Sequence, residues 1–171
     1  MKRFFSSLLL VVTSMLVLAF SAAFAAKSSK GGPPAVGEVV ELKFHPVKGK
    51  NVDLAEMKGK VVLIDFWATW CGPCVAEIPS VVATYNKLHE KGFEIIGISL
   101  DSDKKSLTDF IKDKEMPWPQ YFDGKGWDNK ISSSFGIKSI PAMWLVGKDG
   151  KLVSTNVRGG LEAAVERELA K

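Results

Sequence analysis

Apolar residues follow two rhythms along this chain, and the elements change where one rhythm gives way to the other. Val61-Val62-Leu63-Ile64-Asp65-Phe66-Trp67 is apolar at odd and even positions alike, interrupted only by Asp65. That pattern belongs to a strand covered on both faces, inside a parallel or mixed sheet. Phe93 to Leu100 repeats it, with Glu94 as the single charge. Between the two, Ile78, Val81, Val82, Tyr85 and Leu88 recur at helical spacing. They predict a helix from about Pro73 to Glu90, stopped at Gly92.

Shorter segments complete the layout. Val39 to Phe44 and Val52 to Leu54 read as strands around a Gly49 turn. Asp101-Ser102-Asp103 can cap a helix that turns Leu107, Phe110 and Ile111 inward, and Met116-Pro117-Trp118-Pro119 ends it. Gln120 to Phe122 adds a short strand and Asn129 to Phe135 a short helix. Ala142 to Val146 and Lys151 to Val157 form a hairpin through Gly147-Lys148-Asp149-Gly150, and Gly159-Gly160 opens a terminal helix over Leu161 to Ala170. The expected fold class is therefore α/β, with a central mixed sheet flanked by helices and a hairpin at one edge.

The first 25 residues carry a different pattern. Lys2-Arg3 precedes a mainly apolar stretch from Phe4 to Phe20, and Ala23-Phe24-Ala25 is a small-x-small cleavage site. Together these read as an export signal, with Ala26 as the first mature residue. Retained, the same segment would be an anchor, because Phe4 to Ala26 is long enough to cross a bilayer. Residues 26–36, with Lys27-Ser28-Ser29-Lys30-Gly31-Gly32-Pro33-Pro34, make a linker, and 37–171 make one domain. Removing residues 1–25 leaves 146, with 21 basic against 19 acidic side chains, or +2. The lysines are scattered, so the charge carries no nucleic-acid footprint.

Composition then sharpens the chemistry. Cys71 and Cys74 are the only cysteines, set in Trp70-Cys71-Gly72-Pro73-Cys74 where the strand rhythm yields to the helical one. A loop this short removes little chain entropy, so a stapling role is weak. A cysteine at a helix start faces unpaired N–H groups and the positive end of the helix dipole, both of which favour thiolate. Cys71 has that position. Cys74 follows one turn deeper on the same face, placed to resolve a mixed disulfide formed at Cys71. Pro73 suits the first turn, where its missing N–H would be unpaired anyway.

Asp65 and Glu77 add two carboxylates. Asp65 sits in an otherwise apolar strand, where burial would raise its pKa and make it a proton acceptor for Cys74. The alternative reading is a hydrogen-bonded structural aspartate. Glu77, three residues beyond Cys74, shares its helical face and is read either as a second acceptor or as a solvated helix residue. Trp67 and Trp70 bracket the turn as rim or packing, whereas Trp118, Trp127 and Trp144 are expected in the core or a pocket wall. Pro141, at the start of a strand, indicates a special turn. His45 and His89 are the only histidines and give no zinc arrangement, so no metal is expected.

The run Gly59-Lys60-Val61 through Trp70-Cys71-Gly72-Pro73-Cys74 resembles the thioredoxin superfamily, and more narrowly its exported TlpA/ResA-like thiol-disulfide oxidoreductases. Glu77-Ile78-Pro79, Gly136-Ile137-Lys138-Ser139-Ile140-Pro141 and Lys148-Asp149-Gly150-Lys151 follow in matching order. The resemblance covers about Gly37 to Ala170. It implies a thioredoxin-like fold with an N-terminal strand extension and an αβ insertion over Asp101 to Phe135. It also implies a cis-proline at Pro141 beside the dithiol, Ile140 presenting backbone groups that pair with the client chain, and a client-binding surface of Trp70, Gly72, Pro73, Ile140 and Pro141.

Asp65 matches the buried aspartate of thioredoxin, and Glu77 the acidic residue of the ResA-like branch. The Gly72-Pro73 dipeptide implies a reducing poise, nearer roughly −270 mV than −120 mV. From the resemblance follow an extracytoplasmic, monomeric reductase without cofactor beyond its own Cys71–Cys74 pair, a membrane thiol as electron donor, and clients with disulfides, apocytochrome c among them. A copper chaperone would need cysteines farther apart and a placed histidine. A peroxidase would need proline where Asp65 stands.

Overall fold

The computed structural model describes residues 33–171, so the expected export signal and most of the expected linker lie outside the described residues. Two short strands, β1 (Lys43–Phe44) and β2 (Val52–Asp53), pair antiparallel. The chain then runs through β3 (Val61–Trp67), α1 (Gly72–Leu88), β4 (Phe93–Ser99), α2 (Lys104–Asp113) and β5 (Gln120–Tyr121). It ends with α3 (Lys130–Ser134), β6 (Ala142–Val146), β7 (Leu152–Ser154) and α4 (Leu161–Leu169). The main sheet has five strands in the order β5-β4-β3-β6-β7. β3, β4 and β5 are parallel, β6 runs antiparallel to β3, and β7 runs antiparallel to β6.

Every residue of β3 is buried, as its unbroken apolar pattern requires of a strand with neighbours on both edges and layers on both faces. Alternation along β3 divides its side chains between those layers. Phe66 packs on Phe135 and Trp144, with ring centroids 5.8 and 5.7 Å away. Asp65 takes the opposite face, where it pairs in register with Met143 of β6. α1 and α4 pack together across that face. Trp67, at the end of β3, is enclosed by Phe110 of α2 and donates to Gln120 Oε1 at 3.0 Å. Its place is in the core, not on the rim. Gly97 lets Gln120 lie flat on β4, since a Cβ there would collide with the glutamine side chain.

The first expected strand divides between two partners. Gly37 donates to Leu152 O and Val40 to Gly150 O, so residues 37–40 follow the β6–β7 edge before the chain bends to pair β1 with β2. Periodicity records that a segment is extended but not which neighbour receives its hydrogen bonds. β7 is likewise shorter than Lys151 to Val157, because side chains capture the backbone after Ser154. Asn156 N donates to Ser154 Oγ and Arg158 N to Asn156 Oδ1, drawing this stretch off the ladder. Asp103, not Asp101, caps α2 by accepting from Ser106 N at 2.6 Å. The expected insertion supplies α2, edge strand β5 and α3.

Candidate active site

The chain leaves β3 at Trp67, turns, and enters α1 with Cys71 as its N-cap. Cys71 and Cys74 are joined in a disulfide with Cα atoms 5.2 Å apart. Cys71 Sγ accepts from the Cys74 backbone N–H at 3.2 Å, so the sulfur occupies the usual position of a capping oxygen. After reduction the same N–H and the helix dipole would hold a thiolate there. Gly72 and Pro73 form the first turn of α1, and Pro73 leaves no N–H unpaired. Cys71 is 6% exposed and Cys74 2%, which leaves Cys71 as the sulfur a large client meets first.

This turn is fastened from beneath by a residue that looks like a helix cap in the sequence. Asp101 is buried, and its carboxylate accepts from Thr69 N, from Thr69 Oγ1 at 2.6 Å and from Ser99 Oγ at 2.7 Å. Trp67 and Ser99 are register partners on parallel strands, so Thr69 and Asp101 lie just beyond the carboxyl ends of β3 and β4. Crevices in open α/β sheets take their ligands at that end. The sequence signal was an acidic residue directly after a buried parallel strand. Asp101→Ala should strand the Thr69 N–H and hydroxyl, at a cost of about 2–3 kcal/mol. Urea unfolding at constant slope checks it, and an unchanged midpoint would refute the latch.

Asp65 is buried, and its Oδ1 has no hydrogen-bond partner. Burial, with a smaller contribution from the charge of Glu77, pushes its pKa up to about 7. Glu77 extends from the first turns of α1 and is tied to Arg158, which precedes α4. Arg158 Nε donates to Glu77 Oε1 at 2.7 Å, and Nη2 lies 2.7 Å from the same oxygen. Glu77 Oε2 is buried and unpartnered. A cleft of about 500 Å³ between α1 and α4 is lined by Glu77, Thr84, Met143 and Leu161. Met143, one of the lining residues, is the ladder partner of Asp65, so the cleft lies on the same face of the sheet as the buried carboxyl.

Ile140–Pro141 is a cis peptide bond immediately before β6. Ala142 pairs with Phe66, so Pro141 lies at the end of β3 from which the cysteine turn emerges. Sequence reasoning thus named residues that the fold gathers at one end of the sheet: Cys71 and Cys74 on the turn and α1, Ile140 and Pro141 before β6. Trp118 and Trp144 are buried as expected. Trp127 is not: it is 49% exposed and faces Trp70, itself 53% exposed, with ring centroids 6.1 Å apart. Arg158 was also missed, because nothing local links it to Glu77, 81 residues earlier.

Residues 29–169 match the family described as Redoxin. The chain belongs to the Redoxin family. A relative from Bacillus cereus, named thiol-disulfide oxidoreductase ResA, is 34% identical over 125 residues, covering 73% of this chain and 70% of its own. Another of that name, from Halalkalibacterium halodurans, is 30% identical over 169 residues, covering 96% and 92% respectively. Among solved structures, the thioredoxin domain of a thiol-disulfide oxidoreductase from Bacteroides vulgatus superposes with a TM-score of 0.69 at 34% identity. That match covers 78% of this chain and 96% of the other. This Redoxin-family chain has the thioredoxin-like fold, and its enzymatic class is thiol-disulfide oxidoreductase.

Proposed function

We propose that this enzyme works as an extracytoplasmic protein-disulfide reductase in which Cys71 attacks, Cys74 resolves and Asp65 takes the resolving proton. The observation that carries the reading is the Cys71 Sγ acceptor position at the α1 N-terminus, supported by the Asp65 carboxyl buried on the α1 face of β3. In the reduced enzyme the Cys71 thiolate attacks one sulfur of a client disulfide. An S–S bond forms between Cys71 and the client while the client's own S–S bond breaks, and the departing client thiolate takes a proton from solvent. Cys74 then passes its proton to Asp65 and attacks Cys71 Sγ. The Cys71–Cys74 disulfide forms, the second client thiolate leaves, and two electrons have passed to the client.

Asp65 returns its proton through the cleft beside Glu77 and Met143. The Arg158 ion pair occupies Glu77 Oε1, which favours Asp65 over Glu77 as the first acceptor. A further round needs a dithiol donor, and the resemblance to the TlpA/ResA-like branch supports a membrane thiol in that role. The same resemblance supports apocytochrome c as a client, whose cysteines must be reduced before haem attachment. The export signal read in residues 1–25 supports an extracytoplasmic setting. Trp70, Gly72, Pro73, Ile140 and Pro141 form the client-facing surface in this reading. Equilibration of the Cys71–Cys74 pair against glutathione tests the direction. A potential near roughly −270 mV is expected, and one near about −120 mV would make the enzyme an oxidant.

A further inference from the structure

The described residues leave four large apolar side chains exposed, and two of them meet beside the dithiol. Val36 and Val39 lie in the N-terminal segment that follows the β6–β7 edge. Trp70 directly precedes Cys71, and Trp127 comes from the short 3-10 turn Gly126–Asp128, so their meeting is made by the fold and not by the chain. Their planes are inclined by 54°, which leaves an open angle between two half-exposed rings. Folding alone gains little from leaving such surfaces wet, because indoles gain most from burying their large apolar area.

Trp127 is held in place by buried contacts. Gly126 takes a φ of +55°, and a Cβ there would come within 3.3 Å of Ser102 Oγ, so the turn rests on the β4–α2 connection. Asn129 is fully buried, donates through Nδ2 to Ser99 O at 2.9 Å, and caps α3 through Oδ1. Asp123 accepts from the Lys125 and Lys130 backbones and closes the other end of the loop. Ser99 is also the residue bonded to Asp101, which latches the cysteine turn. One small hydrogen-bonded framework therefore carries both the ring of Trp127 and the loop of Trp70. A preorganised pair of this kind orders little on binding.

We propose that Trp70 and Trp127 form a clamp for the client chain next to its disulfide, favouring cysteines with an apolar or aromatic residue directly beside them. The proposal rests on the reductase reading and deepens it. In the mixed disulfide the client Cα lies about 4.4–6.8 Å from that of Cys71. Its neighbour in sequence is about 3.8 Å farther along the chain. Those lengths allow that side chain to reach Trp70, which adjoins Cys71 in the chain, and with it the ring of Trp127 that Trp70 meets. The occupant is apolar and not ionic, since Lys125 and Asp128 flank Trp127 with opposite signs and set no net charge.

The test uses the reduced enzyme and two synthetic peptides, each with one intramolecular disulfide, with Phe or Ser next to the attacked cysteine. Its readout is the ratio of kcat/KM for the Phe peptide to that for the Ser peptide. A ratio of roughly fivefold or more is expected for the parent. It should fall to near one in Trp127→Ala and be largely kept in Trp127→Phe. A parent ratio of one, or a ratio unmoved by Trp127→Ala, overturns the clamp while leaving the reductase reading standing. Failure to reduce either peptide overturns both.

Discussion

Cys71→Ser should abolish insulin reduction, whereas Cys74→Ser should keep the first half of the reaction and stop there as a mixed disulfide. The asymmetry follows from position. Cys71 Sγ receives the Cys74 N–H at the α1 start and is the more exposed sulfur, while Cys74 lies one turn deeper. Serine in place of Cys71 leaves a hydroxyl whose alkoxide is inaccessible at neutral pH, so turbidity in an insulin assay should not rise above the uncatalysed rate. Serine in place of Cys74 leaves the attacker intact but removes the resolver. Client and enzyme should then migrate together on non-reducing gels and separate on adding dithiothreitol. Full activity in Cys71→Ser would sink the assignment, and swapped phenotypes would reverse the roles.

Asp65→Asn should slow resolution of that mixed disulfide and also stabilise the oxidised protein at alkaline pH. For the kinetics, general-base catalysis contributes at least about 10²-fold. The parent's resolution rate should fall as pH drops through about 7, where Asp65 becomes protonated, and Asp65→Asn should lose that inflection. Stopped-flow measurement of client release reads both effects. Unchanged lifetimes in Asp65→Asn, with slowing in Glu77→Gln, would transfer the role to Glu77.

The stability effect has a definite sign. Asp65 rises from 3.8 when unfolded to about 7 when folded, so between those values the folded state holds a proton that the unfolded state has lost. Stability is therefore fullest below the unfolded value and declines as pH rises through the folded one. Three pKa units correspond to about 4 kcal/mol, an upper figure for what the buried charge costs at pH 8. Asparagine carries no charge to bury. Urea midpoints of parent and Asp65→Asn should therefore diverge in favour of the variant at pH 8 and converge near pH 4. Parallel stability–pH curves would contradict the buried carboxyl.

Legibility follows the range of the interactions. β3, β4 and α1 are readable because burial on both faces or along one stripe writes its period into neighbouring residues. Asp65 stands out as a lone charge in such a run. Asp101 reads as a helix cap, since an acidic residue before a helix has that local meaning. Only the parallel register of β3 and β4 turns it toward Thr69. Trp127 reads as an interior residue on the habit of large aromatics, and its exposure depends on the buried Asn129 and Gly126 beneath it.

Residue order alone was enough for the chemistry: two cysteines at a strand-to-helix switch, a carboxylate in the strand behind them, and a proline opening a later strand. Those features are local, and local spacing suffices to place a thiol at a helix start. What surrounds that chemistry came only with the folded arrangement. It brought Arg158 to Glu77, Asp101 beneath Thr69 and Trp127 against Trp70, each pairing residues at least 32 positions apart. Such contacts leave no periodic trace, because they depend on which strands pair and in what register.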